Sequence, residues 1–316
     1  MPGNVTVGLN GSPESFAAVR WAAEEAVLRE LPLRIIHIQD WPVPPEYIAH
    51  VAPWPSAHRT SDEPRDEEPR PSPKYEDLLE RAAAEAGHAH PGLTVGAENV
   101  TGVGLASRAL LAEADTPGGM DLLVLGSQGL DRLTGFVIGT TSLPVAAASP
   151  CPVVLVRSRR TGHEERGTPA AQRPGHLLLG LDIRGTEADE TLLDFAFTEA
   201  ARRNSRLRIL HAWGLPPTYA PAQMADPGLG NELAGKVAQT LERVVEPWKQ
   251  RFPDVAVQTG TVMGAPGAEL VYAAPEADLI IVGRRDRPLP VGPRLGHVAH
   301  AVIHHAAAPV AIVPHA

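Results

Sequence analysis

Short apolar runs alternate with stretches in which apolar residues recur every three or four positions, and the two patterns take turns along most of the chain. Asn4 to Leu9 (NVTVGL) has the length and β-branched content of a strand. Asn10-Gly11-Ser12-Pro13-Glu14-Ser15 then reads as a turn opening a helix, with Ser12 or Ser15 as its cap, that runs to about Arg29. Leu33 to Ile38 is a second strand, and strand, helix, strand at this spacing makes a parallel, right-handed unit. Tyr75 to about Gly87 predicts an amphipathic helix with Leu78 and Leu79 on its apolar side, followed by a weaker strand from Leu93 to Val100. The turn Gly102-Val103-Gly104 leads into a helix from about Leu105 to Ala114. Leu122 to Leu125 is unbroken apolar, as a strand buried on both faces should be. Ser142 to Ala148 is a short helix whose first turn accepts Pro144, and Cys151 to Arg157 is a fifth strand. Five strands alternating with four helices predict a doubly wound, Rossmann-like α/β domain with a parallel sheet.

The pattern fails in two places and then begins again. Residues 41–73 carry nine prolines and the charge-dense run Ser61 to Glu68, so this insertion is expected to lack regular structure. A lid over the neighbouring loops, anchored by Trp41, Tyr47 and Trp54, is the alternative. Residues 158–174 are polar and read as a linker. Beyond it, His176 to Asp182 parallels Asn4 to Asn10, and Leu207-Arg208-Ile209-Leu210-His211 repeats Leu33-Arg34-Ile35-Ile36-His37 with one side chain changed. Gly126 and Gly283, Gly139 and Gly296, and Pro152 and Pro309 are each separated by 157 positions. The chain is therefore an internal duplication, with one domain at 1–157, a linker at 158–174 and a second domain at 175–316.

Composition narrows the function classes. A formal net charge of −9 argues against non-specific binding to nucleic acid or an anionic membrane. No apolar run approaches the roughly 20 residues of a membrane span, and the start of the chain lacks a signal-peptide pattern, so a cytoplasmic location is expected. Cys151 is the only cysteine and reads as a small core residue beside Pro152.

The chemistry gathers after the central strand: Gly126, two residues, Gly129, nine residues, Gly139, then the hydroxyls of Thr140 and Thr141 before a helix. Glycines let the backbone come close to an anion, and hydroxyls with free N–H groups supply donors. Gly126-x2-Gly129-x9-Gly139-Thr140 resembles the nucleotide-binding signature of universal stress proteins, and matches neither the phosphate loop nor the dinucleotide fingerprint. The resemblance covers nearly the whole chain apart from the insertion and linker. It implies two domains related by a pseudo-two-fold axis, with the edges of the final strands, Pro152 to Val156 and Pro309 to Val313, paired within one chain; it leaves a homodimer open. It also implies ATP as ligand, with Gly126, Ser127, Gly129, Gly139, Thr140 and Thr141 around the phosphates, Asn10 at the ribose and Ile38 at the adenine. Magnesium would bridge the phosphates, although no acidic ligand for it stands out.

The halves differ. Family members that hold ATP have an Asp at the end of the first strand, where Asn10 stands here. The second half keeps that residue as Asp182 but places Asp286 at the second glycine and His297 after Gly296, with Pro288, Pro290 and Pro293 in the same loop. Its site is therefore expected to be degenerate, with Arg284, Arg285 and Arg287 read as solvated loop arginines. His37 and His211 read as strand-end imidazoles bonded to nearby backbone. His304-His305 and His88-Ala89-His90 read as surface or helix-end residues, since no Cys, Asp or Glu stands beside them at ligand spacing. No Ser-His-Asp or Cys-His pattern can be assembled. The expectation is an ATP-binding regulatory module with one site and an unidentified protein partner. A nucleotide-independent interaction protein and a slow ATPase or adenylyl-transfer enzyme are the alternatives.

Overall fold

The computed structural model describes residues 3–41, 73–103, 105–116, 119–127, 141–157, 175–184, 190–214, 228–285 and 295–315. The first half runs β1 (Asn4–Gly8), α1 (Pro13–Arg29), β2 (Leu33–Trp41), α2 (Pro73–Ala89), β3 (Val95–Val103), α3 (Ala106–Ala114), β4 (Met120–Gly126), α4 (Ser142–Ala148) and β5 (Val153–Val156). The second half runs β6 (His176–Gly180), α5 (Glu190–Arg202), β7 (Arg206–Trp213), α6 (Gly228–Arg251) and β8 (Val257–Met263). It continues with α7 (Pro266–Ala273), a 3-10 turn at Ala274–Glu276, β9 (Leu279–Arg285), α8 (His297–His305) and β10 (Val310–His315).

The strands form one ten-stranded sheet in the order β3-β2-β1-β4-β5-β10-β9-β6-β7-β8. Every neighbouring pair is parallel except β5 and β10, which run antiparallel with Leu155, Val154 and Val153 opposite Val310, Ala311 and Ile312. The final strands thus pair as expected. Val154 and Ala311 are equivalent positions of the duplication and face each other, so a pseudo-two-fold axis passes through that pair. Alternation along the strands sorts side chains onto two faces. Val154, Val156, Ala311 and Val313 pack in one core with α1, α2, α5 and α6; Val153, Leu155, Val310 and Ile312 pack in the other with helices α3, α4, α7 and α8. Equivalent residues keep the same face, so the axis stands perpendicular to the sheet, and strands of the two halves end at opposite edges.

One predicted turn is instead strand. Gly102 and Val103 pair with Asp40 and Trp41, because β2 extends past Ile38 and carries its neighbour with it. Tyr47 and Trp54 of the suggested lid, and nearly all of the insertion, lie outside the described residues.

Buried charge holds the halves together beneath the axis. Arg29 on α1 donates to Glu25 and to Glu199 on α5, each at 2.5 Å, while Arg203 reaches back to Glu25. Arg29 lies over the Phe195 ring and Arg203 over the Trp21 ring, so each arginine repeats the other's role across the axis. Burial works against a charge on Glu25, but Arg203 and Arg29 outweigh it and hold that carboxyl below its usual value. Burial, then the charge of Glu25, push the Glu199 carboxyl up to about 7. On the opposite face, Arg284 Nη2 donates to the Ser149 carbonyl at 2.6 Å, and Arg157 donates to the Ile303 carbonyl. Both carbonyls belong to helix carboxyl ends, where intrahelical partners run out. Arg284 is therefore buried at the seam rather than solvated as its loop setting suggested.

Candidate functional site

The strand order reverses between β1 and β4, and a cavity of about 110 Å³ opens at their carboxyl ends. Doubly wound folds place ligands at this reversal, because the flanking loops diverge there. Asn10, Ile38, Gly126 and Thr141 all line it, together with Ser12, Ser15, His37 and Ser142. Four of the residues singled out in the sequence are thus brought together. Ser127, the next residue after Gly126, is 4% exposed, and its hydroxyl has no hydrogen-bond partner among the described residues. Gly129, Gly139 and Thr140 lie outside the described residues.

Each wall has a local cause. Ser12 caps α1, accepting from Ser15 N at 3.2 Å with Pro13 in the first turn, and Ser15 Oγ donates to the Ser12 carbonyl at 2.8 Å. Asn10 Oδ1 accepts from Ser12 N at 3.0 Å, which fixes the amide and leaves Nδ2 as a donor. Gly11 completes the turn at φ +85°, a region that favours glycine. Gly126 has a packing reason to be glycine: a Cβ there would come within 2.7 Å of the Glu14 and Ser15 backbone. Ser142 Oγ donates to the Gly126 carbonyl at 3.0 Å and pins α4 to the end of β4, whereas Thr141 makes no capping bond.

His37 Nδ1 lies 2.8 Å from the Leu9 carbonyl, and His211 Nδ1 lies 2.9 Å from the Leu181 carbonyl. The structural reading of these two histidines holds. A carbonyl only accepts, so Nδ1 carries the proton and Nε2 of a neutral ring is left as an acceptor. Only His37 also stacks on Tyr75, at 4.3 Å between ring centres, among the described residues. Ser15 and Ser142, which the sequence placed only at helix starts, line the cavity although neither belongs to the glycine-spaced motif, and Tyr75 adjoins it through His37.

The universal stress protein family model matches residues 1–157 and again 175–314. The chain belongs to the universal stress protein family. A universal stress protein of Mycobacterium tuberculosis is 31% identical over 319 aligned residues, which span 98% of this chain and 95% of that protein. One from Mycobacterium bovis is 29% identical over 328 residues, spanning 98% and 96%. Among solved structures, a universal stress protein from Archaeoglobus fulgidus aligns with a TM-score of 0.63 at 16% identity, covering 98% of each chain; that likeness speaks for the fold.

The second domain of this universal stress protein treats the same reversal differently. Asp182 accepts from Arg184 N at 3.1 Å, as Asn10 does from Ser12, but the Arg184 guanidinium also grips the carboxylate, at 2.9 and 2.8 Å. That side-chain bond leads the causes that bring Asp182 down to about 2, against the cost of burial. The acid retained from the family pattern is thus occupied by its own neighbour. A larger cavity, about 290 Å³, lies at the seam between the halves, but its Arg29 and Glu199 are already paired across the interface. Among the described residues, no group of three or more His, Cys, Asp or Glu could hold a metal, and no helix is long and apolar enough to cross a membrane.

Proposed function

We propose that this tandem universal stress protein is a cytoplasmic regulatory module that holds one ATP in its first domain, 1–157, and that 158–174 links it to a second domain, 175–316, with a degenerate site. The observation that carries this reading is the convergence of Asn10, Ile38, Gly126 and Thr141 on one cavity at the strand-order reversal. The free polar groups suit a nucleotide. In this reading Asn10 Nδ2 would meet the ribose and the backbone at Ile38 the adenine, while Gly126, Ser127, Gly129, Gly139, Thr140 and Thr141 would be the residues assigned to the phosphates. A phosphate oxygen would give the Ser127 hydroxyl an acceptor that the described residues do not.

No carboxylate is among the described residues that line the cavity, so Mg2+ would arrive on the phosphates with water completing its shell. His37 has its Nδ1 proton tied to a backbone carbonyl, and the described lining residues include no carboxylate. In this reading the module holds nucleotide, and its output passes through contacts with a partner protein.

The test is Gly129→Asp, which copies Asp286 of the second half. Equilibrium dialysis should show ATP binding lost while circular dichroism stays that of the parent. Unchanged affinity in a folded variant would remove the loop from the site.

A further inference from the structure

One ring pair has a geometry that the nucleotide site does not use. On α8, His300 and His304 are one turn apart, and their Nε2 atoms lie 3.2 Å from each other. Residues four apart share a helical face, so this spacing alone brings the rings together. The rings tilt by 31° with centres 4.1 Å apart. His304 is buried and holds its ring in place, whereas His300 is exposed and opens the pair to solvent.

We propose that His300 and His304 form a two-histidine site for a borderline divalent transition metal, of the Zn2+, Cu2+ or Ni2+ class. Two imidazole nitrogens about 2.0–2.1 Å from one tetrahedral ion stand about 3.3 Å apart, and at a square-planar corner about 2.9 Å. The observed separation falls inside that interval, so the two nitrogens already stand at the spacing one ion requires, once the proton between them moves to Nδ1 or leaves. Imidazole selects these metals over Mg2+ and Ca2+, which demand oxygen. Ligation also requires neutral rings.

The two protein ligands leave positions for water, and the nearby Arg157 opposes a dication, so the site is exchangeable rather than structural. Ala301 stands where a metalloprotease helix of the H-E-x-x-H kind carries its glutamate, so no hydrolytic role follows. The first domain lacks the pair: the equivalent positions on α4 are Leu143 and Ala147. The inference does not depend on the nucleotide reading.

The test uses the full chain without an affinity tag. Zn2+ is titrated by calorimetry and Cu2+ is followed by electron paramagnetic resonance. The expected result is one ion per chain with hyperfine structure from two nitrogens. His300→Ala, at an exposed position, should weaken binding by about tenfold or more and leave one nitrogen in the Cu2+ spectrum. His305→Ala should change neither. A two-nitrogen signal that survives His300→Ala, or wild-type binding no tighter than that variant's, would overturn the site and leave only a hydrogen-bonded ring pair.

Discussion

Asn10 and Asp182 close the same kind of turn in the two halves, and they differ in what each leaves for a ligand. The Asn10 amide keeps its NH2 donors, since the turn uses only its Oδ1; Asp182 is held by Arg184. Asn10→Asp is expected to keep the turn, since Asp182 makes it, and to present a second acceptor toward a ribose. ATP should then be preferred over 2′-deoxy-ATP more strongly than by the parent; equal ratios in competition binding would exclude a ribose at this position. At the seam, Glu25 and Glu199 face the same arginines but titrate in opposite directions. Glu199, raised from 4.5 to about 7, holds its proton longer when folded. Stability from this group is therefore fullest below its unfolded value and declines as pH rises toward 7. Glu199→Gln mimics the protonated acid: a cost of about 1 kcal/mol at pH 5 is expected, and the decline to pH 8 should flatten. Glu25→Gln should cost more, about 3–5 kcal/mol, because it strips buried arginines of their charge partner. Urea unfolding of both variants at pH 5 and pH 8 checks the order. Asn10, Ile38, Gly126 and Thr141 were legible because each sits at a strand end or in the glycine-spaced motif. Tyr75 on His37, Arg184 on Asp182 and Arg284 on Ser149 were not, since each depends on a neighbour chosen by the fold. The His300–His304 pair is hidden by the adjacent His304-His305, because a helix brings together residues four apart rather than neighbours.

The alternation of strands and helices was legible because eight strands carry continuous or alternating apolar residues, and the duplication supplies each pattern twice. The edges were harder. β8 (Val257–Met263) is a half-buried edge strand whose side chains do not alternate cleanly, and β2 and β3 outrun their apolar cores because their backbones pair with each other. A ladder can lengthen a strand beyond what side-chain pattern demands. The element that decides the architecture is the β5–β10 pair, which gives each half a neighbour where an edge would otherwise be exposed. Ala311→Asp puts an unpaired charge at a fully buried position on the axis. It should cost about 4 kcal/mol or more and split a single unfolding transition into two, as the halves lose their common core. One transition with an unchanged midpoint would show that the seam contributes little. Ser12→Ala removes the cap of α1 and should cost about 1 kcal/mol, read by denaturant unfolding.

The antiparallel seam points the strands of the two halves in opposite directions, so the strand-order reversals lie at opposite edges of one continuous sheet. A nucleotide in the first half and any ligand in the second could not touch, and coupling between them would have to pass through β5, β10 and the Glu25–Arg29–Glu199–Arg203 cluster. The duplication has thus kept the scaffold twice while the first-strand ends diverged: Asn10, whose Nδ2 remains a donor, on one side, an arginine-bound Asp182 on the other. Native mass spectrometry of the purified chain, before and after Mg-ATP is added, tests this directly. One ATP per chain, lost in Gly129→Asp and retained in Asp182→Ala, is the predicted result. Two nucleotides per chain would contradict the degenerate second site, and none at millimolar ATP would contradict the nucleotide reading itself.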